Sequence, residues 1–165
     1  MLKKVISGGQ CGVDIVALRV AKRHGLETGG YMPGGWRTLE GPRPQYQAEY
    51  GLEEHVDYAY TGRTYANVRH ADGTLRLFLV ESSPGERCTL QAIRHFQKPH
   101  FDVDLSNPTG VETAVVWLIQ RRIVTLNVAG NSTFTAPEIE PLAEAYLTAL
   151  FTMLRETSCT EERSG

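Results

Sequence analysis

A glycine-rich segment near the start of the chain has the composition and the position of a phosphate-binding loop. Gly8-Gly9-Gln10-Cys11-Gly12 separates a short apolar stretch, Val5-Ile6, from a predicted helix over 12–24. Glycines let a backbone approach a ligand closely, and the first amides of a helix are unpaired donors that attract anions. The order of strand, loop and helix therefore predicts a site for a phosphorylated ligand. A tight turn that only lets the helix pack on the strand is the alternative.

Two further loops are expected to lie beside the first one, because each of them also follows a predicted strand. These loops cover residues 82–89 and 127–132. Ligands of open parallel sheets bind outside the carboxyl ends of the strands. The residues that we predict to bind a ligand there are Gly8, Gly9, Gln10, Cys11, Gly12, Asp14, Arg87, Cys88, Thr89, Asn127, Gly130 and Ser132.

Several of these residues have a structural interpretation beside the functional one. Asp14 could hold a ribose hydroxyl or a metal-bound water, yet acidic residues favour the first turn of any helix. Asn127 could bind polar groups of the ligand or only fix its own loop. Cys11 and Cys88 are predicted near helix N-termini, which lower a thiol pKa. A reactive or metal-binding pair is one interpretation, but two small residues lining a pocket is the favoured one. The histidine spacing predicts no metal site.

Strands and helices alternate along the chain, which predicts a mostly parallel sheet of about five strands with helices on both faces. The strands are expected over 2–7, 28–32, 75–80, 100–105 and 122–128. Capping-box patterns at Ser83, Thr109 and Thr135 predict the starts of three helices. The expected fold is a Rossmann-like three-layer α/β sandwich, with a single domain over 1–156 and a polar, disordered tail over 157–165.

Residues 33–62 show no clear period and are predicted to be a long irregular loop, which is usually functional when it is this long. Its aromatic side chains could stack on a ligand ring, pin the loop to the surface or form a subunit contact; they are Trp36, Tyr46, Tyr50, Tyr58 and Tyr60. The helix over 12–24 is apolar on nearly all sides. It is therefore expected to pack on the sheet and on a second subunit in a dimer or tetramer.

The composition excludes several classes of function. The 165 residues include 17 Lys and Arg against 19 Asp and Glu, so no basic field for nucleic acid is expected. No apolar run is long enough to span a membrane, and no signal segment is recognisable. Three cysteines far apart do not predict a disulfide framework, so a cytoplasmic protein is expected.

The segment from Ile6 to Asp14 resembles the opening of the putative molybdenum carrier family, a circularly permuted YpsA-like group of the SLOG/LOG superfamily. The resemblance continues through later segments in the same order: Asn67-Val68-Arg69, Asp72-Gly73-Thr74-Leu75, Lys98-Pro99 and Leu126-Asn127-Val128-Ala129-Gly130. It implies a Rossmann-like fold, a homo-oligomer and a pocket for a nucleotide-like or molybdopterin-like ligand.

The chain departs from this family pattern at its second loop. The family has Gly-Gly-Thr there, whereas this chain has Gly85-Glu86-Arg87-Cys88-Thr89. Glu86 would repel an anion at that helix start, and Arg87 could offset the repulsion as a direct phosphate ligand. The family usually has Thr where Cys11 stands.

The hydrolases of the superfamily carry a Pro-Gly-Gly-x-Gly-Thr-x-x-Glu motif. Residues 33–40 resemble it in composition but lie in the irregular loop, and residues 84–91 lie in the right context but end in Gln91. We therefore expect a small-molecule binding or carrier protein for a nucleotide or the molybdenum cofactor. A phosphoribohydrolase that uses Glu40 or Glu86 is the alternative, and an interaction protein with a decayed pocket is the third hypothesis.

Overall fold

The computed structural model describes residues 1–163, with side chains up to residue 157. The strands are β1 Lys4–Ile6, β2 Glu27–Met32, β3 Leu52–Glu54, β4 Gly73–Phe78, β5 His100–Asp104 and β6 Thr125–Gly130. The helices are α1 Val13–Arg23, α2 Tyr46–Tyr50, α3 Tyr60–His70, α4 Pro84–Phe96, α5 Val111–Gln120 and α6 Ile139–Arg163. None of the described helices is long and apolar enough to cross a membrane.

The six strands form one parallel sheet in the order β3-β2-β1-β6-β4-β5. The chain first builds outward from β1 to β3, then crosses to β4 and β5, and finally inserts β6 between β1 and β4. Asn127 of β6 is in register with Ile6 of β1 and Thr74 of β4. The carboxyl ends of the three central strands therefore lie side by side, at the point where the direction of winding reverses.

Helices cover both faces of this sheet. Helix α6 packs against α1 and α5 on one face, while α3 packs against α4 on the other. The two groups of helices lie on opposite faces because connections between parallel strands are right-handed. Helices α1 and α5 lead toward the β3 edge of the sheet, whereas α3 and α4 lead toward the β5 edge. The predicted three-layer α/β architecture is confirmed.

Helix α1 is covered within the chain itself. Eight of its eleven residues are buried. Part of its surface packs against α6, and Ile15 and Leu18 join Met32 and Leu52 in a second apolar cluster. The second subunit that we expected against α1 is therefore not needed to bury it. Helix α5 differs, because Val116 and Ile119 are each 49% exposed.

The region 33–62 is more regular than the sequence predicted. It contains a 3-10 turn at Gly34–Trp36, helix α2 and the edge strand β3, so the sheet has six strands rather than about five. Strand β3 has three residues, of which only Leu52 is buried, so the sequence has no alternating apolar pattern that would predict this strand. Trp36, Tyr46 and Tyr50 pack against the second apolar cluster and pin this region to the domain.

The predicted helix starts were right at one of three positions. Ser83 Oγ accepts a hydrogen bond from the Glu86 amide at the start of α4. Helix α5 instead begins after Gly110 without a side-chain cap, and α6 begins at Ile139 rather than near Thr135. The disordered tail over 157–165 stays a prediction: the backbone of α6 continues to Arg163, and residues 164–165 lie outside the described residues.

Candidate functional site

The three loops that follow β1, β4 and β6 surround a cavity of about 480 Å³ at the carboxyl edge of the sheet. Helix α3 closes its side. The lining residues are Gly8, Gln10, Asp14, Leu39, Tyr60, Thr61, Arg63, Thr64, Asn67, Ser83, Pro84, Gly85, Cys88, Thr89, Asn127, Ala129, Gly130, Asn131, Ser132 and Thr135. The residues that follow β1, β4 and β6 were predicted to lie beside one another, and they do.

The glycines of the first loop are required by close packing. A Cβ on Gly8 would overlap the Arg63 guanidinium and lie 2.8 Å from Asp14 Oδ2. Gly12 has φ 97°, and a Cβ there would lie 2.3 Å from the carbonyl oxygen of Asn131. The Val13 amide donates to that same oxygen. The loop is therefore pressed between α3 and the exit of β6.

The amides of this loop are already hydrogen-bonded within the chain. The Gln10 amide donates to Asp14 Oδ2, the Cys11 amide to Gln10 Oε1 and the Gly12 amide to Glu140 Oε1. The Gly9 amide donates to Ser7 Oγ. The sequence predicted a cradle of amides for a phosphate, and that role stays a prediction; in the structure, acceptors of the protein occupy these donors.

Asp14 forms a buried ion pair with Arg63, with 3.1 Å between Oδ2 and Nη1. The Asp14 side chain is 6% exposed and that of Arg63 is 14% exposed. Burial raises the pKa of Asp14, and Arg63 together with the Gln10 and Gly8 amides opposes that rise. The two side chains place one negative and one positive group in the cavity wall.

Gln10 connects the first loop to the region 33–62. Its Oε1 accepts from the Leu39 amide at 2.9 Å, as well as from the Cys11 amide. Its NH2 group has no acceptor among the described residues and lies at the cavity. Gln10 therefore holds Leu39 over the cavity and still offers a donor to a ligand.

The exit of β6 contributes two asparagines. Asn127 Nδ2 donates to Thr74 Oγ1 at 3.3 Å, and Asn127 Oδ1 has no donor among the described residues. Asn131 Oδ1 accepts from the amides of Leu79 and Val80, and its Nδ2 donates to the Val80 carbonyl oxygen. Asn127 is thus available to a ligand, whereas Asn131 joins the exits of β6 and β4.

The start of α4 forms the wall opposite the first loop. Ser83, Gly85, Cys88 and Thr89 line the cavity there. Glu86 turns away into the protein, where its Oε2 lies 2.9 Å from Arg76 Nη2. Arg76 also binds Asp102 Oδ2 at 2.7 Å. The repulsion that we expected from Glu86 is therefore counteracted by Arg76.

Four of the predicted site residues do not line the cavity. Arg87 is exposed and donates to the Ser82 carbonyl oxygen, so its guanidinium is engaged away from the cavity. Gly9, Cys11 and Gly12 are buried and do not line the cavity. The predicted residues that do line the cavity are Gly8, Gln10, Asp14, Cys88, Thr89, Asn127, Gly130 and Ser132.

The cysteines and the candidate carboxylates are arranged differently from our expectation. Burial raises the pKa of Cys11, the reverse of the shift expected at a helix N-terminus. Neither Glu40 nor Glu86 lines the cavity, and Glu40 lies 3.6 Å from Arg43 on the surface. Among the described residues, no group of three His, Cys, Asp or Glu side chains is placed to hold a metal ion.

Sequence reasoning missed the contribution of α3. Tyr60, Arg63 and Asn67 line the cavity, and Arg63 is stacked 5.6 Å from the centre of the Tyr60 ring. Asn67 hydrogen-bonds the backbone of Tyr31 in β2 through both its side-chain groups. The available signal was the spacing of Arg63 and Asn67, which places the two side chains on one helix face.

The parallel sheet, the helices on both of its faces and the cavity at its carboxyl edge define a Rossmann-like α/β domain. A model described as the "Circularly permutated YpsA SLOG family" matches residues 5–151. The chain belongs to this family. Its structure is similar to a crystal structure described as a "Putative molybdenum carrier protein" from Syntrophus aciditrophicus SB, with 31% identity and a TM-score of 0.82. The match covers 90% of this chain and 94% of that one. No curated protein matches this chain in sequence.

Proposed function

We propose that the protein binds and carries a phosphorylated, ring-bearing small molecule in this cavity. The ligand is a nucleotide or the molybdenum cofactor, the second because the structural relative is described as a molybdenum carrier. The observation that carries the proposal is the cavity itself. Its volume of about 480 Å³ suits a ligand of this size, and few polar groups converge in it.

The polar groups that support this proposal come from three walls. Gln10 offers its NH2 group, Asn127 its Oδ1 and Ser83 its hydroxyl, while Arg63 supplies positive charge. Leu39 and Tyr60 give apolar surface on which a ring can lie. Glu40 and Glu86 lie outside the cavity, so binding is a better account of this site than hydrolysis by either carboxylate.

The first experiment is native mass spectrometry of the freshly purified protein, followed by denaturation and identification of any released molecule. We expect a released mass that matches a nucleotide or a pterin phosphate. Thermal unfolding with added AMP, GMP and the molybdenum cofactor would then rank candidates, because a ligand that binds only the folded state raises the melting temperature. An empty protein that none of these compounds stabilises would contradict the proposal.

A pair of α4 variants controls for folding. Gly85 lines the cavity, and a Cβ there would meet open space, so we expect Gly85→Leu to add bulk at this wall without strain. Gln91→Leu adds the same apolar side chain on the exposed face of the same helix. We expect Gly85→Leu to lose the ligand-dependent stabilisation and Gln91→Leu to keep it. Equal stabilisation of both variants would place the ligand elsewhere.

We also infer that the protein works in the cytoplasm as a dimer or tetramer. The free thiols of Cys11 and Cys88 are compatible with a reducing compartment. The half-exposed Val116 and Ile119 of α5 support a subunit contact. Light scattering should show an oligomer for the natural chain and a smaller species for Ile119→Glu; a monomeric natural chain would contradict the assembly.

A further inference from the structure

Helix α5 presents an apolar stripe on the surface of the protein. Val116 and Ile119 are each 49% exposed, and among the described residues they are the two exposed large hydrophobic side chains that share one helix. Residues three positions apart lie on one face of a helix. On its inner face, the same helix buries Ala114, Val115 and Leu118 in the core. The stripe of Val116 and Ile119 is therefore an outward surface of a helix that is anchored from the other side.

The two ends of this stripe carry opposite charges. Glu112, one turn before Val116, is exposed in the first turn of α5. Arg122 follows the helix and lies beside Ile119, since both residues line a groove of about 290 Å³. In the part of the chain that the structure describes, neither Glu112 nor Arg122 forms an ion pair. The stripe thus runs from an acid without an ion-pair partner, across apolar residues, to a base without one.

This pattern is complementary to itself when the helix direction is reversed. A two-fold axis between residues 117 and 118 would place Val116 opposite Ile119 of a second copy, and the reverse. The same axis would place Glu112 opposite residues 122 and 123, which brings its carboxylate near Arg122 of the second copy. In such an antiparallel pair, the positive end of each helix dipole also lies beside the negative end of the other. The charges of the stripe therefore fit a second copy of this chain.

We propose that two copies of the chain associate through antiparallel contact of their α5 helices. Val116 and Ile119 form the apolar centre of this contact, and Glu112 pairs with Arg122 of the other copy at both of its ends. The ion pairs determine the direction and the register of the two helices, because exposed charges contribute to specificity more than to affinity. This proposal rests on the oligomer inferred from the same face of α5, and it names the contacts that form the oligomer.

The contact lies away from the cavity. Helix α5, which the structure describes over its whole length, contributes no residue to the cavity lining. It follows β5, which lies at one edge of the sheet, whereas the cavity lies beyond β1, β4 and β6. Each copy therefore keeps its own complete site, and association can be tested without a ligand.

The test is analytical ultracentrifugation of Glu112→Arg and Arg122→Glu, each alone and as an equimolar mixture. Both positions are exposed, so we expect both variants to fold. Each variant alone brings like charges together at both ends of the contact, and its apparent dissociation constant should rise roughly tenfold or more, with a smaller rise at high salt. In the mixture, a pair with one copy of each variant has opposite charges at both ends, so the affinity should return to within about threefold of that of the natural chain.

The mixture also controls for folding, because misfolded variants would not regain affinity for each other. Glu138→Arg makes the same change of charge at an exposed position outside α5 and should associate as the natural chain does. Single variants that associate as tightly as the natural chain, or a mixture that associates no better than its components, would overturn the α5 contact. A natural chain that stays monomeric would overturn both the contact and the inferred oligomer. None of these results depends on the ligand, so the binding proposal is tested separately.

Discussion

The loop after β1 and the start of α4 face each other across the cavity, and both place glycine before or within the first turn of a helix. They use that residue in different ways. Gly12 is enclosed by backbone, whereas nothing lies within 4 Å of a Cβ at Gly85. The amides of the first loop are bonded to Asp14, Gln10 and Glu140, whereas at the start of α4 Ser83 Oγ caps the helix by accepting from the Glu86 amide. A glycine in a glycine-rich loop can thus be required by close packing, while the glycine at the start of α4 is not.

The largest expected effect on stability is that of replacing Gly12 by alanine, compared with the same replacement at Gly85. Gly12→Ala should destabilise the fold by about 4 kcal/mol, because the new methyl group overlaps the Asn131 carbonyl oxygen at a positive φ. Gly85→Ala should stabilise it by about 0.5 kcal/mol, because alanine is favoured over glycine in a helix. Urea denaturation measures both. Equal effects would show that the packing of the two regions does not differ.

Glu86, which is buried at the start of α4, predicts that the free energy of unfolding depends on pH. Burial raises the pKa of Glu86 from 4.5 to about 7, against the influence of Arg76. The folded state therefore holds this proton longer than the unfolded state does. The contribution of Glu86 to stability is fully present below pH 4.5 and falls by about 3 kcal/mol as the pH rises to about 7.

The measurement is the difference in unfolding free energy between the natural chain and Glu86→Gln, taken by denaturation at a series of pH values. The charge of Asp14 contributes to the raised pKa of Glu86, so this difference reports Glu86 together with its coupling to Asp14. Glu138→Gln, at an exposed position, serves as the control for the replacement of a carboxylate by an amide. A flat difference for Glu86→Gln would mean that Arg76 holds Glu86 ionised throughout the range.

Asn131 joins the two regions, and its removal should have an intermediate effect. Asn131→Ala leaves the amides of Leu79 and Val80 without their acceptor. We expect a loss of about 2 kcal/mol in denaturation, together with faster hydrogen exchange at both amides. Asn107→Ala, in an exposed loop, is the matched control. Unchanged exchange at Leu79 and Val80 would show that solvent replaces Asn131 without cost.

The smallest expected effect is at Gln10, which connects the first loop to the region 33–62. Gln10→Met keeps the length of the side chain but removes the acceptor of the Leu39 amide. We expect a loss of about 1 kcal/mol and faster exchange of the Leu39 amide, with little change at Gly34. Protection of Leu39 that persists in the variant would show that other contacts hold this segment.

The sequence was sufficient to predict a parallel sheet, since mostly apolar segments such as Leu75–Phe78 and Leu126–Val128, each with one polar residue, alternate with predicted helices. It was not sufficient for β3, because this strand pairs through its backbone and buries only Leu52. In the site, Gly8, Asp14, Asn127 and Gly130 lie around one cavity, as expected, whereas Gly9 and Gly12 do not. The partner of Asp14 could not be predicted, because Arg63 is 49 residues away and meets it only through the packing of α3.

The orientation of charged side chains at α4 was unpredictable for a related reason. Arg76 stands on a fully buried strand, where an apolar residue is the usual expectation. It draws Glu86 inward, while Arg87 engages the preceding turn. The local sequence predicts which residues lie near the start of α4. Arg76 on the neighbouring strand β4 determines that Glu86 turns away from the cavity, and the local sequence does not show this.

The two edge strands have a consequence for association between molecules. Strand β3 ends in the exposed Glu53 and Glu54, and β5 exposes Asp102 and Asp104. A strand from another molecule that extended the sheet at either edge would have to approach a row of carboxylates, which discourages templated aggregation. The edges of the sheet are therefore protected by charge against the addition of further strands.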